Sequence, residues 1–278
     1  MKPAKRVLAI HDLCSFGRCS LTAAIPVLSS MGIQACPFPT ALFSNNFTYG
    51  SFVFSDFTDK MKGFMDQWEK LEFPFDAVYS GFLASLEQME IVKDAARRFA
   101  DREDAIVVVD PAMGDDGKLY PVFTPEMVAG MRGLVEKADL ITPNYTEACF
   151  LLDRPYSAEE PSASALETMC RDLSKFGAKQ VVITSVPGKP DEIKVASFDA
   201  ENERFTVHST ARIPFATCGT GDIFTSVVTG ALLRGETLDA AVLKAMRFVS
   251  RAIEYTMATG VDARAGVQLE PCLKELMG

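Results

Sequence analysis

This chain predicts an α/β fold: a mostly parallel central sheet with helices on both faces and a late antiparallel strand pair. Three observations carry that. Short β-branched runs alternate with longer stretches of helical period, the pattern of strands crossed over by helices. The runs "AIVVVD" (105–110) and "QVVITS" (180–185) are apolar almost throughout, as strands buried on both faces are. Nothing in the 278 residues reads as a linker, an internal repeat or a low-complexity tract, so a single domain over 1–278 is expected.

The elements follow in order. "RVLAIH" (6–11) reads as a buried strand, and "SLTAAIPVLSSMG" (20–32) as a helix closed by glycine. "IQACPF" is strand-like, as are 76–81, 105–110, 140–144 and 180–185. Helical stretches are expected at 86–102, 124–138, 144–152 and 161–176. "EIKVASFD" and "RFTVHS" form an antiparallel pair about the polar "AENE" turn. Two helices, about 220–234 and 237–258, end the pattern.

Composition excludes several function classes. Lys and Arg total 28 and Asp and Glu 37, a net charge of −9, which argues against nucleic acid as the partner. A nucleotide remains compatible, since a local pocket and a divalent metal hold phosphates inside an acidic protein. No apolar run approaches a membrane span and the start lacks a signal-peptide pattern, so a cytoplasmic protein is expected. The seven cysteines, an odd number without a CxxC, read as reduced thiols. Only His11 and His208 are histidines, which supplies neither a zinc site nor a histidine triad.

In a sheet of this kind ligands lie outside the carboxyl ends of the strands. Those ends are polar here: His11-Asp12, Ser80-Gly81, Asp110-Pro111, Thr142-Pro143-Asn144 and Thr184-Ser185. Each alone is ordinary turn chemistry, and their recurrence suggests a cleft for a polar, charged ligand. The stretch "FATCGTGDIFTSVVTGALLRG" (215–235) adds a Gly-Thr-Gly turn that opens a buried helix, with Asp222 directly after it. An acid there caps a helix, or it accepts a proton from a hydroxyl while the free amides of the turn gather an anion. The pattern is neither a P-loop nor GxGxxG.

"CGTGDIF" resembles the anion-hole and base signature of the ribokinase-like kinase superfamily, and "ITPNYTEACFLL" (141–152) its NxxE motif. "AIHDLCSFGRCSLTAAIPVLSSMGI", "PTALFSNNFTYGSF", "YSGFLAS" and "DPAMGDDGKLY" are similar, within it, to pyridoxal/pyridoxine/pyridoxamine kinases. The resemblance covers nearly the whole chain in the family's order. It implies ATP-dependent phosphorylation of the 5′-hydroxymethyl group of a vitamin B6 vitamer. Asp222 would be the base, and Gly219, Thr220 and Gly221 the anion hole. Asp110, Thr142, Asn144 and Glu147 would position Mg²⁺ and the ATP phosphates, Asp110 and Glu147 as metal ligands, with Thr184 and Ser185 nearby. Asp12 and Thr40 would contact the pyridine ring, with Ser44, Asn45, Asn46 and Tyr49 close by and Phe82 packed on it. Segment 114–121 would be a mobile flap over ATP, and "VDARAGVQLEP" (261–271) would line the adenine pocket. The family also implies a homodimer and leaves room for a monovalent cation such as K⁺.

The chain departs from that family where Asp12 stands in place of a common serine and Phe82 in place of a tyrosine found in some relatives. Asp12 would then pair with a protonated ring nitrogen or a vitamer amine, and Arg18 is its obvious protein partner. Cys218 reads as a structural thiol. The rings Phe43, Phe47, Tyr49, Phe52, Phe54 and Phe57 read as core or dimer packing. The alternatives are a hydroxymethylpyrimidine or small-sugar kinase of the same superfamily, and a non-catalytic ligand-binding protein on the same fold.

Overall fold

The computed structural model describes residues 3–102 and 104–277. In chain order the elements begin with β1 (Arg6–Cys14), α1 (Leu21–Ser30), β2 (Gln34–Phe43), β3 (Phe54–Asp56), α2 (Thr58–Lys70), β4 (Ala77–Ser80) and α3 (Leu86–Phe99). Next come β5 (Ile106–Val109), β6 (Gly114–Asp115), β7 (Lys118–Leu119), α4 (Pro125–Val135), β8 (Leu140–Ile141), α5 (Tyr145–Leu151) and α6 (Ala163–Ser174). Last are β9 (Gln180–Val186), β10 (Glu192–Asp199), β11 (Arg204–Ala211), α7 (Thr220–Leu233) and α8 (Leu238–Thr259).

Nine strands form one sheet in the order β11-β10-β9-β8-β5-β4-β1-β2-β3. The run from β9 to β2 is parallel, and β3, β10 and β11 join antiparallel at its two ends. The late hairpin therefore extends the main sheet, while β6 and β7 form a separate two-stranded ladder.

Strand alternation divides the core. Leu8, Ile10, Val78, Val107, Val109 and Ile183 face one side, packed on α2 to α6. Val7, Ala9, Tyr79, Val108 and Val182 face the other, packed on α1, α7 and α8. Successive strand residues point to opposite faces, so each apolar run feeds both layers.

Three departures from the sequence expectation have a plain cause. Helix α2 buries only Met61 and Met65, and the residue before it, Phe57, offers no side-chain cap, so neither a long apolar stripe nor a start signal marks it. Strand β2 runs through Pro37 and Pro39 to Phe43, further than "IQACPF" suggests. Strand β8 stops at Ile141, because Pro143 has no amide to donate and Asn144 already caps α5.

Candidate active site

The site lies along the carboxyl ends of β1, β4, β5, β8 and β9, where α7 begins. Between His11 and Leu13 the pairing of β1 with β2 slips, so that Asp12 stands opposite two residues, Thr40 and Ala41. A bulge of this kind re-aims side chains at the rim of a sheet. Asp12 and Thr40, both expected at the substrate, sit at this bulge and are buried.

Asp12 is not paired with Arg18. Arg18 binds Glu270 at 2.8 and 3.0 Å instead, which corrects the expected partnership. The Asp12 carboxylate accepts from Ser20 Oγ at 2.6 Å and from Cys14 Sγ at 3.3 Å. Burial pushes its pKa up, and these donors only offset part of that. Ser20 matters twice, since its backbone N–H also donates to Asp222 Oδ2 at 2.8 Å. Its φ of 51° lies in the left-handed region, which costs a non-glycine residue about 1–3 kcal/mol. That strain holds Asp12 and Asp222 on one bridge. Sequence reasoning missed Ser20, because a serine at a helix start looks like an ordinary cap, yet its side chain caps nothing.

Gly219, at a φ of 85°, precedes α7 as its N-cap. A side chain there would overlap the Arg18 carbonyl oxygen at 2.0 Å, so only glycine fits both the conformation and the approach. Thr220, Gly221 and Asp222 follow as the first three helical residues. The first-turn amides of α7 lack helical partners and point toward the cleft end of the helix. Asp222 keeps 18% of its side chain exposed, and its pKa is pushed up to about 7, by burial first and then by the Asp12 charge.

Asp110 ends β5. Thr225 Oγ1 donates to its Oδ2 at 3.3 Å and exchanges a 2.8 Å hydrogen bond with the Thr142 hydroxyl. Oδ2 lies 3.8 Å from where a side chain on Gly221 would begin, which places it beside the turn. Burial and then the Asp222 charge push the Asp110 pKa up. Thr225 carried no sequence signal, being one more small residue inside an apolar helix.

Asn144 and Glu147 form a capping box on α5. The Asn144 side chain accepts from Glu147 N at 2.9 Å and donates to the Gly114 carbonyl at 2.8 Å. Both Glu147 oxygens are taken: Oε2 by Asn144 N at 2.7 Å and Oε1 by Met113 N at 3.1 Å. Burial, and then the Asp110 charge, hold the Glu147 pKa well above the ordinary carboxylate range. The Gly117 amide binds Thr146 Oγ1 at 3.0 Å, so segment 114–121 is a small hairpin tied to the start of α5.

Among the described residues no Lys or Arg pairs with Asp12, Asp222, Asp110 or Glu147, and no three metal-ligating side chains converge. A buried acid row without a protein cation suits Mg²⁺, and so does a sparse donor set, because Mg²⁺ usually takes one or two carboxylates plus substrate phosphates. The residues fit such an ion through Asp110. Glu147 differs from the expected direct ligand in having its oxygens committed to backbone.

Two adjoining cavities of about 530 and 460 Å³ share Asp115, Ser185, Ile193 and Arg212. The larger has Thr184 at one end, the start of α7 at its base, and Phe215, Phe224, Met246 and Ile253 as apolar walls. The smaller is polar, with Asn144, Thr146 and Lys189. Ser185 has a φ of 53° at the strand end between them. Arg212 and these apolar walls escaped sequence reasoning, being scattered over the late strands and helices. The 261–271 segment, expected here, lines neither cavity. It braces other loops: the Arg264 carbonyl accepts from Asn46 Nδ2 at 2.8 Å, and the Ala265 carbonyl from Arg18 N at 3.1 Å.

The "SNN" segment is largely self-satisfied. Ser44 donates to Asn45 Oδ1 at 2.7 Å, and Asn45 Nδ2 to the Ser51 carbonyl at 2.8 Å. Asn46 is buried and also reaches Cys218 Sγ at 3.2 Å. Tyr49 lies under the Arg264 guanidinium at 4.9 Å. Phe82 is ringed by Phe47, Phe123 and Tyr120 at centroid distances of 6.1, 6.1 and 6.5 Å. Phe43 is buried, while the exposed Phe54 stacks on it and the exposed Phe47 and Phe52 meet it edge to face. The Cys218 thiol is half-buried, and a hydrogen bond with Cys19 is the main cause of a strongly raised pKa, so it stays a thiol.

A family model described as phosphomethylpyrimidine kinase matches residues 16–266. A Bacteroides thetaiotaomicron protein, provisionally described as a phosphomethylpyrimidine kinase and crystallised with pyridoxal, is 43% identical with a TM-score of 0.94, over 98% of this chain and 96% of that one. Pyridoxal kinase from Lactobacillus plantarum is 31% identical with a TM-score of 0.90, over 98% and 96%. A Haemophilus influenzae hydroxymethylpyrimidine/phosphomethylpyrimidine kinase is 28% identical over 264 residues, 94% of this chain and 95% of that one.

Proposed function

This chain belongs to the phosphomethylpyrimidine kinase family, and from that premise we propose that it is an ATP-dependent kinase acting on the 5′-hydroxymethyl group of a vitamin B6 vitamer. The observation that carries the choice of substrate is the 0.94 TM-score, at 43% identity, to a protein crystallised with pyridoxal. The buried acid row without a protein cation supports the nucleotide half of the reading.

In this reading Asp222 accepts the proton of the vitamer hydroxyl as it attacks the terminal phosphorus in line. The amides of Gly219, Thr220 and Gly221 stabilise charge on the phosphoryl oxygens. Asp12 and Thr40 orient the pyridine ring from the bulge, and Phe82 packs against it. Asp110, with Thr142 behind it through Thr225, would hold Mg²⁺, which when bound would neutralise phosphate charge. Glu147 and Asn144 fix the backbone that presents Asp110 and the 114–121 hairpin. The cavity between Ser185, Arg212 and Phe224 takes the nucleotide, with Arg212 and Lys189 near its phosphates or ribose. An Mg²⁺ requirement, cytoplasmic location and homodimeric assembly belong to the same reading.

A non-catalytic binding protein would gain nothing from an available acid at the head of α7. The second reading, a hydroxymethylpyrimidine kinase, is favoured by the Haemophilus influenzae relative. ATP turnover with pyridoxal, pyridoxine, pyridoxamine and hydroxymethylpyrimidine side by side separates the two. Turnover of at least one B6 vitamer is expected, and turnover of hydroxymethylpyrimidine alone would refute the proposal.

A further inference from the structure

His11 is the last residue of β1 in regular register before the bulge, and its side chain is fully buried. Neither ring nitrogen has a hydrogen-bond partner. Leaving two polar atoms dry in a core is destabilising, and an apolar side chain of similar shape would avoid that cost. The fold makes room for this ring in particular. A side chain on Gly81 would meet His11 Nδ1 at 2.2 Å, so glycine at the end of β4 is what admits the imidazole. Tyr79 packs its edge on the ring with centroids 4.4 Å apart, and its own hydroxyl donates to the Asp222 carbonyl at 3.3 Å.

One polar group faces the imidazole closely: Nδ1 lies 3.8 Å from Asp222 Oδ1. The other Asp222 oxygen is already held by Ser20 N at 2.8 Å. We propose that His11 is a positioning residue for Asp222, its Nδ1–H closing onto Oδ1 when the substrate hydroxyl is seated. The carboxylate is then held at both oxygens, and one lone pair of Oδ1 is left to receive the substrate proton. This rests on the reading of Asp222 as the base. The gap is about 0.9 Å longer than an ordinary N–H···O bond, and catalytic hydrogen bonds commonly tighten only with substrate in place. Burial keeps the imidazole neutral, pushing its pKa down to about 3, so it acts as a fixed dipole and not as a proton relay.

The test separates position from packing. His11→Phe should lower kcat roughly 10- to 100-fold, the scale of a misplaced catalytic group, with KM for vitamer and ATP within about twofold and thermal stability equal or higher. His11→Asn, whose amide nitrogen stands near the place of Nδ1, should recover most of kcat. His11→Gln, whose amide stands near Nε2, should not. A His11→Phe kcat within about twofold of wild type, or a Gln variant as active as the Asn variant, would overturn the proposal. Should the Phe variant fail to fold, the Asn–Gln contrast decides alone. Asp222→Asn runs beside them: near-normal turnover there removes the base itself, whereas its collapse alongside unaffected His11 variants removes only the role of His11.

Discussion

Glu147 and Asp222 occupy the same place on two different helices. Each is the third helical residue, of α5 and of α7, at the carboxyl edge of one sheet. Glu147 is buried and Asp222 partly so, and each has its pKa raised by burial first. What differs is the residue three positions earlier. Asn144 closes a reciprocal box with Glu147, and Met113 N takes the other oxygen, so this acid is spent on backbone. Gly219 has no side chain with which to close such a box, and α7 carries no side-chain cap. Asp222 is thereby left with one firm donor, Ser20 N, and an opening to the cleft. An acid in a helix's first turn is left available when its N-cap has no side chain to engage it. The same glycine frees the amides that an anion needs.

The hardest test of that contrast is Asp222→Asn. Asparagine keeps the shape and the acceptor for Ser20 N but cannot take a proton. Turnover should fall about 10²- to 10⁴-fold, the usual worth of a general base, with stability nearly kept. Steady-state kcat and a melting curve check it, and near-normal kcat would leave Asp222 only the role of bracing Ser20 N. A pH experiment sharpens the same point. The Asp222 pKa rises from an ordinary 3.8 to about 7 on folding. The folded protein therefore holds a proton that the unfolded chain releases. The stability this contributes is complete below about pH 4 and is lost as pH rises through about 7. Without metal or nucleotide, Tm should fall between pH 5 and pH 8, and Asp222→Asn should flatten that slope. A slope unchanged in the variant would assign it to the other buried acids.

Much of this was legible in the chain. The parallel sheet and most helices follow from apolar period and caps. The α5 box is written as Asn144-x-x-Glu147, and the exposed glycine turn as Gly219-Thr220-Gly221. What stayed hidden was set by tertiary approach. The bridge of Ser20 to both Asp12 and Asp222 depends on a backbone conformation that no sequence pattern marks. The same holds for Arg18, which lies near Asp12 in sequence yet turns to Glu270, 252 positions away. Helix α2 was silent because only two of its residues are buried. That Glu147 is spent and Asp222 is available also could not be read from two acids at like spacing, since Met113 N reaches Glu147 from another loop.

Asp12 is a middle case between the two acids, and Asp12→Ser probes it. Its partners are side chains, Ser20 Oγ and Cys14 Sγ, which leave acceptor capacity toward a ligand. Losing a charge-assisted bond to a protonated ring nitrogen or amine should raise the vitamer KM about 10- to 100-fold. The ranking of pyridoxal, pyridoxine and pyridoxamine should change, with KM for ATP nearly constant. If all three vitamer KM values and their order stay put, Asp12 only braces Ser20.

The smallest effect on turnover is expected at Glu147, and that is what makes it the control for Asp222. In Glu147→Gln one carboxylate oxygen becomes an NH₂ group, which faces a backbone N–H instead of accepting from it. Leaving one buried amide unsatisfied costs about 1–3 kcal/mol, so Tm should drop by several degrees. A glutamine there cannot ionise beside Asp110 when a cation arrives, as Glu147 can, so the Mg²⁺ concentration for half-maximal activity should rise. At saturating Mg²⁺, kcat should stay within about tenfold of wild type, far above Asp222→Asn. A thermal denaturation curve and an Mg²⁺ titration measure the two parts separately. Should Glu147→Gln keep its Tm and lose kcat as deeply as Asp222→Asn, the division between a spent acid and an available one is wrong, and Glu147 itself touches the reacting groups.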